Sequence, residues 1–297
     1  MTETPLISII IPVYKNEFFL EKSLKSCVDQ TYKNIEIIII SDGSYNNKLI
    51  EKIIHKTKDD RIIFLKNTKN EGVASTLNKG IEIIKGEYFT WLSHDDFFHI
   101  DKITLQFQEL KRTNSFVSYT NFIQVNGYKT KFVKSINLNK FKNQLIGLTI
   151  KDNIHGCSLL ISSEIFKKNN LKFDTRLMHV QDYDMWVKII EKYKFTYLNK
   201  YLLYTNVHDF QNSKLFKKDA SIEKKNFWSN VFLKLQRKQI SKIKILLIIY
   251  YLTKRNCLYL SSLYKINNNR FNLVIYLLFF YFGYFTNLFI SKIKNNA

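Results

Sequence analysis

Asp95 and Asp96 stand side by side, directly after the apolar run Glu87-Tyr88-Phe89-Thr90-Trp91-Leu92. Adjacent carboxylates repel each other and are costly in a dry site unless a cation or hydrogen-bond donors compensate them. A hard divalent ion that also touches phosphate oxygens would compensate them well. The alternative is a solvated Asp–Asp turn that caps the following helix. His94 could join such an ion or hydrogen-bond within the turn. A second acidic cluster, Gln181-Asp182-Tyr183-Asp184, precedes a helical stripe of Met185, Trp186, Ile189 and Ile190. There Asp182 or Asp184 could cap the helix and favour its positive end, worth about 1 kcal/mol.

Such carboxylates need a rigid frame, and the pattern over residues 1–100 predicts one. The run before Asp95 is short, aromatic and set off by Gly86, as in a buried strand. Its C-terminal end is where open α/β sheets place ligand crevices. Residues 6–11, stopped by Pro12, and residues 35–40 and 61–65 predict three more strands. Between them Leu20, Leu24, Cys27 and Val28, then Leu49, Ile50, Ile53 and Ile54, then Val73, Leu77, Ile81 and Ile84 recur at helical spacing. Strands alternating with helices predict a mostly parallel sheet built from right-handed crossovers. Farther on, Ile103, Phe107 and Leu110 predict a helix, residues 116–119 a strand, and residues 122–133, broken by Asn126-Gly127, a hairpin.

The usual phosphate cradles are missing. No Gly-x-Gly-x-x-Gly follows the first strand and no Walker-type Gly-Lys-Ser/Thr occurs. A nucleotide would have to be held by carboxylates and a metal instead.

Four segments, in order, carry a resemblance: Ile11-Pro12-Val13-Tyr14-Lys15-Asn16-Glu17; Ser41-Asp42-Gly43-Ser44; Asn70-Glu71-Gly72 with Asn78-Lys79-Gly80-Ile81; and Ser93-His94-Asp95-Asp96. Over roughly residues 5–210 the chain resembles the family 2 inverting glycosyltransferases of bacterial cell-surface polysaccharide and glycolipid synthesis. The resemblance implies a GT-A (Rossmann-like) fold, a nucleotide-diphosphate-sugar donor and Mg²⁺ or Mn²⁺. It implies that Pro12, Val13, Tyr14 and Glu17 line the nucleoside site and that Asp42 faces the base. Asp96 would hold the metal, with Asp95 near the ribose or metal. The family's Glu-Asp motif falls on Gln181-Asp182, implying Asp182 as general base with Asp184 as runner-up. His208 would complete the metal site or touch the diphosphate, and His155 could contact acceptor. Ser93, Ser41, Leu77 and Asn206 depart from the family's pattern at positions where it often has Asp, Asp, Arg and Arg. These departures bear on the ribose and phosphate contacts and leave the metal carboxylate in place.

The 297-residue chain carries a net charge of +21, unevenly spread. Residues 211–297 contribute +14 and residues 1–210 only +7. Nucleic acid or an anionic membrane surface could each attract that excess. No RNA- or DNA-binding motif is recognisable, and the aromatics lie in long apolar runs, so nucleic acid is not expected as a partner. A nucleotidyltransferase on a related α/β scaffold would need a glycine- and basic-rich triphosphate loop, which is not seen. Cys27, Cys157 and Cys257 are dispersed and lack metal-ligand spacing, which fits a reducing compartment. The chain reaches a strand by Leu6 with no basic n-region or long apolar segment, so no signal peptide is expected.

The expected division is a catalytic domain over residues 1–213, with a donor half 1–100 and an acceptor half 101–213, and a basic, apolar helical tail over 214–297. Residues 271–290 run without a charge and as a helix would be about 30 Å long, enough to cross a bilayer. In-plane helices, a monotopic hairpin or a soluble helical pack are the alternatives. The expectation is an enzyme at the cytoplasmic face of the inner membrane, peripheral, monotopic or C-terminally anchored. The resemblance implies transfer of a hexose or N-acetylhexosamine, from a UDP-sugar by the family's habit, to a saccharide or lipid-linked acceptor.

Overall fold

A computed structural model describes residues 4–209, 211 and 215–237. The first half follows the expected alternation. Strands β1 (Ile7–Val13), β2 (Ile35–Asp42), β3 (Ile62–Asn67) and β4 (Tyr88–Trp91) alternate with helices α1 (Leu20–Val28), α2 (Asn47–Thr57) and α3 (Val73–Ile83). All four strands run parallel, in the order β3-β2-β1-β4. Every residue of β2 is buried, which is why its Ile run is continuous instead of alternating. Each such isoleucine contributes roughly 1.5–3 kcal/mol by leaving water. Glu36, buried within this strand, is satisfied at the sheet's N-terminal edge by the Ser8 hydroxyl (2.6 Å) and the Lys85 amide (2.7 Å).

The second half completes the sheet with mixed directions. The two-residue strand β5 (Phe97–Phe98) leads to α4 (Lys102–Thr113), β6 (Val117–Asn126) and β7 (Lys129–Val133). Then follow α5 (Gln144–Ile150), β8 (Leu159–Ser162), α6 (Glu164–Asn169), α7 (Gln181–Ile190) and β9 (Phe195–Asn206). Among the described residues the sheet runs β3-β2-β1-β4-β8-β6-β9-β5, with β7 paired to β6.

The expected strand at 116–119 and the first arm of the hairpin are one element, β6. The polar Thr120-Asn121 between them is buried yet satisfied: Asn121 Oδ1 accepts from the Ser135 amide (3.0 Å) and the Tyr197 hydroxyl (2.7 Å). The pairing of β6 with β9 shifts register at this point. Such a shift bends a strand, and β9 continues past it to Asn206.

A last helix, α8 (Lys217–Arg237), spans the point after Ser221 at which the chain divides into two compact units. No helix among the described residues is long and apolar enough to cross a membrane. The expected boundary at 213/214 and the apolar run 271–290 lie outside the described residues.

Beneath the end of β4, Lys102 is fully buried. Its Nζ donates to Thr90 Oγ1 (3.2 Å) and the Leu159 carbonyl (3.3 Å), and it lies 4.2 Å from the Phe98 ring centroid. Burial, with no carboxylate beside it, pushes the ammonium from 10.5 down to about 7. Between these values the unfolded chain holds the proton more tightly, so stability rises with pH, and below pH 7 the full cost applies. Lys102→Met removes this dependence. Urea unfolding from about pH 7 to pH 10 should show wild type gaining on the variant by roughly 4 kcal/mol.

Candidate active site

The predicted residues gather at the C-terminal ends of β1, β2 and β4 and the end of β9. Past β1, Lys15 and Asn16 both adopt left-handed backbone, at φ 53° and 48°. Each costs of order 1–2 kcal/mol for a residue with a Cβ, so the turn is held by its surroundings. Pro12 and Tyr14 are half-buried and Val13 is buried, its carbonyl accepting from the Ser44 hydroxyl (3.1 Å). Glu17 follows in a 3-10 turn, 8% exposed, and its Oε1 has no hydrogen-bond partner among the described residues. An orphaned buried acceptor here is suited to a donor group on a ligand.

Asp42, at the end of β2, has both carboxylate oxygens occupied. Oδ1 accepts from Asn67 Nδ2 and the Glu71 amide, and Oδ2 from the Gly72 amide, each at 2.9 Å. A ligand reaching Asp42 therefore meets the backbone of residues 67–72 as well. Gly43 makes this approach possible: at φ +68° a Cβ would lie 2.4 Å from the Asn70 amide nitrogen.

Asp95 and Asp96 emerge after β4 and are separated by their partners. Asp95 Oδ2 meets His208 Nε2 at 2.8 Å, while Asp96 Oδ1 accepts from the Asn206 amide at 3.0 Å. The predicted metal residues Asp96 and His208 thus lie in one cluster, with His208 reaching Asp95. His208 also stacks on Phe19, ring centroids 4.7 Å apart. His94 has its pKa lowered by burial, against the opposing pull of the Asp95 charge.

Asp96 is 4% exposed, and burial first, the Asp95 charge second, hold its carboxyl well above the ordinary range. No Lys or Arg pairs with either carboxylate among the described residues. Asp96, His155 and Cys157 offer ligand atoms within 4.8 Å of one another. His155 Nδ1 accepts from the Cys157 amide (3.2 Å), which leaves Nε2 to carry the proton of the neutral ring. Burial raises the Cys157 thiol, and the charge of Asp96 raises it further, so it stays protonated. What remains for a cation is carboxylate oxygen, the donor that hard divalent ions prefer.

Gly156 links this cluster to the second acidic pair. A Cβ on it would lie 2.7 Å from Trp91 Cζ2, which leaves no room for a side chain, and 3.4 Å from Asp182 Oδ2, which puts the Asp182 carboxylate beside the residue between His155 and Cys157. Asp184 instead pairs with Lys188 at 2.6 Å on the same helix. Asn206, a departure from the family pattern in the sequence, meets Asp96 through its backbone amide, which leaves no side-chain signal. Cys157 lies beside Asp96 and His155 although the cysteine spacing gave no sign of a cluster.

A profile of Glycosyl transferase family 2 matches residues 8–169. The chain belongs to glycosyl transferase family 2. An uncharacterized glycosyltransferase of Rickettsia typhi is 35% identical over 251 residues, covering 82% of this chain and 76% of that protein. An uncharacterized glycosyltransferase of Rickettsia felis is 34% identical, but only 40% of its length is spanned. The Escherichia coli UDP-Glc:alpha-D-GlcNAc-diphosphoundecaprenol beta-1,3-glucosyltransferase WfaP is 31% identical over 63% of this chain and 71% of its own. Among solved structures, S. aureus TarS in complex with UDP-GlcNAc aligns with a TM-score of 0.63 at 14% identity, covering 84% of this chain and 72% of that one. The mannosyltransferase PcManGT from Pyrobaculum calidifontis, in complex with GDP-Man and Mn²⁺, gives 0.61 at 16% identity over 84% and 69%. These two likenesses carry the fold, which is the expected GT-A arrangement. Family 2 membership makes the chain a glycosyltransferase and disfavours the nucleic-acid-binding and nucleotidyltransferase readings.

Two family 2 motif positions serve the fold. Asn78 exchanges hydrogen bonds with the Phe173 backbone (2.9 and 2.8 Å), and the Ser41 hydroxyl donates to Asn47 Oδ1 (2.6 Å) at the start of α2. Asp42 latches the end of β2 to residues 67–72. Asp42→Asn turns an amide group toward backbone donors, and urea denaturation should record a loss of about 1–3 kcal/mol.

Proposed function

We propose that this glycosyltransferase is inverting and cation-dependent, and that it moves a hexosyl or N-acetylhexosaminyl group from a UDP-sugar to a hydroxyl of a saccharide or lipid-linked saccharide. The observation that carries this reading is the pairing of half-buried Asp95 with buried Asp96 after β4, with the Asp182 carboxylate beside Gly156. Supporting the donor and acceptor class are the name of the E. coli relative and the UDP-GlcNAc complex of TarS. In this reading residues 1–100 bind donor, residues 101–213 bind acceptor, and the basic 214–297 segment keeps the enzyme at the cytoplasmic face of the inner membrane, for cell-surface glycan synthesis.

Asp96 would hold Mg²⁺ or Mn²⁺, with Asp95 and His208 beside it; the ion would act as a Lewis acid on the leaving diphosphate. Pro12, Val13, Tyr14, Glu17 and Asp42 would line the nucleoside. Asp182 takes the proton of the acceptor hydroxyl while that oxygen attacks the anomeric carbon from the face opposite the diphosphate. Lys188 holds a charge against Asp184, which leaves Asp182 the better-placed base. The neutral His155 ring and protonated Cys157 keep the surroundings of Asp96 short of competing anions.

The test is a panel of UDP-, GDP- and dTDP-sugars with Mg²⁺, Mn²⁺ or chelator, following nucleoside diphosphate release and the anomeric configuration of the product. Asp96→Asn should weaken cation-dependent donor binding. Asp182→Asn should keep donor bound and lose about 10²–10⁴-fold in transfer rate. Full transfer by Asp182→Asn would move the base to Asp184, and a product of retained configuration would overturn the inverting mechanism.

A further inference from the structure

The β6–β7 hairpin bears a surface for which sugar transfer alone has no use. From residue 110 to residue 151 the chain holds eight Lys and Arg and no Asp or Glu. Lys129, Lys131 and Lys134 are exposed, and none pairs with a carboxylate among the described residues. At the turn Tyr128 is 107% exposed, and Phe132 on β7 is 62% exposed. Phe132 meets Tyr201 of β9 edge to face, ring centroids 5.1 Å apart.

Among the described residues β7 pairs with β6 alone and lies at the edge of the sheet. Lysines on an edge deter pairing with another chain, but that task needs no bare aromatic rings. Tyrosine and phenylalanine beside unpaired lysines combine an apolar body with positive charge. That pairing suits the boundary between anionic headgroups and acyl chains.

The hairpin's position gives such a contact a purpose. Val125 of β6 pairs with Asn206 of β9, whose amide donates to Asp96 Oδ1 (3.0 Å). Tyr128 lies three residues beyond Val125. At about 3.3 Å per residue, the tip is roughly 10 Å past the edge of the carboxylate cluster.

We propose that the β6–β7 hairpin docks on an anionic lipid bilayer, with Tyr128 and Phe132 at headgroup depth and Lys129, Lys131 and Lys134 against lipid phosphates. Docking brings the Asp95–Asp96 cluster close to the membrane surface, where the hydroxyl of a lipid-linked acceptor would lie. The proposal rests on the functional reading above only for that acceptor. It locates membrane contact on the catalytic domain, independently of the basic 214–297 segment.

Tyr128→Trp in the full chain provides a local reporter, compared with wild type and its Trp91, Trp186 and Trp228. Vesicles of phosphatidylglycerol and phosphatidylcholine with brominated acyl chains should quench the variant beyond wild type. Pure phosphatidylcholine vesicles should not, and about 1 M salt, where the Debye length is about 3 Å, should abolish the effect. Adding Lys129→Gln, Lys131→Gln and Lys134→Gln should weaken the reporter's response by about fivefold per lysine. If the chain sediments with vesicles and the reporter is not quenched, the contact lies elsewhere and the proposal fails. A reporter change with soluble polyphosphate but not with vesicles would replace the bilayer by a polyanionic acceptor. Nucleoside diphosphate release without vesicles, equal in all variants and wild type, keeps this outcome separate from that of the enzymatic reading.

Discussion

Two neighbouring carboxylates at one strand end, half-buried Asp95 and buried Asp96, are the constraint around which this protein is arranged. On Asp96 the loss of water first and the neighbouring Asp95 charge second oppose ionisation. The fold answers by giving each a different partner from the end of β9: the Asn206 amide for Asp96 and the His208 ring for Asp95. Neither partner brings a fixed full positive charge. A cation placed here would meet no competing Lys or Arg among the described residues, and its attraction to carboxylate oxygen would be little screened.

The neighbouring strand ends are tied to this pair by contacts that leave little freedom. Phe19 stacks on His208, and the Ser44 hydroxyl donates to the Val13 carbonyl. Just past Val13 come the two left-handed residues Lys15 and Asn16, whose backbone strain these surroundings must offset. Asp42 pins residues 67–72 with charge-assisted hydrogen bonds, which are stronger than neutral ones. Nucleoside binding at this edge would meet a surface already shaped, with less entropy left to lose.

The departures from the family pattern have local consequences that side-chain type alone did not reveal. Ser41 is fully buried and holds α2 through Asn47, and Leu77 belongs to the core at 2% exposure. Asn206 contributes a backbone amide to Asp96, a role open to any residue but proline. Ser93 sits against Cys157, its amide 3.4 Å from the sulfur.

The parallel half of the fold was legible because strands buried on both faces must be continuous in Ile and Phe, and the covering helices must repeat at 3.6 residues. The acids at strand ends were legible for the same reason, since Asp95 and Asp42 come within three residues of the ends of such runs. The second half was not. Thr120-Asn121 looks like a break in a strand, and only distant donors, Ser135 and Tyr197, make it tolerable inside one. The mixed pattern of β9, with Asn199 and Lys200 in its middle, gives no clear alternation where its pairing shifts. Local order in the sequence thus determined the elements and the acids they carry. Which groups face those acids was decided by tertiary structure, because a backbone amide 110 residues away leaves no trace in local composition.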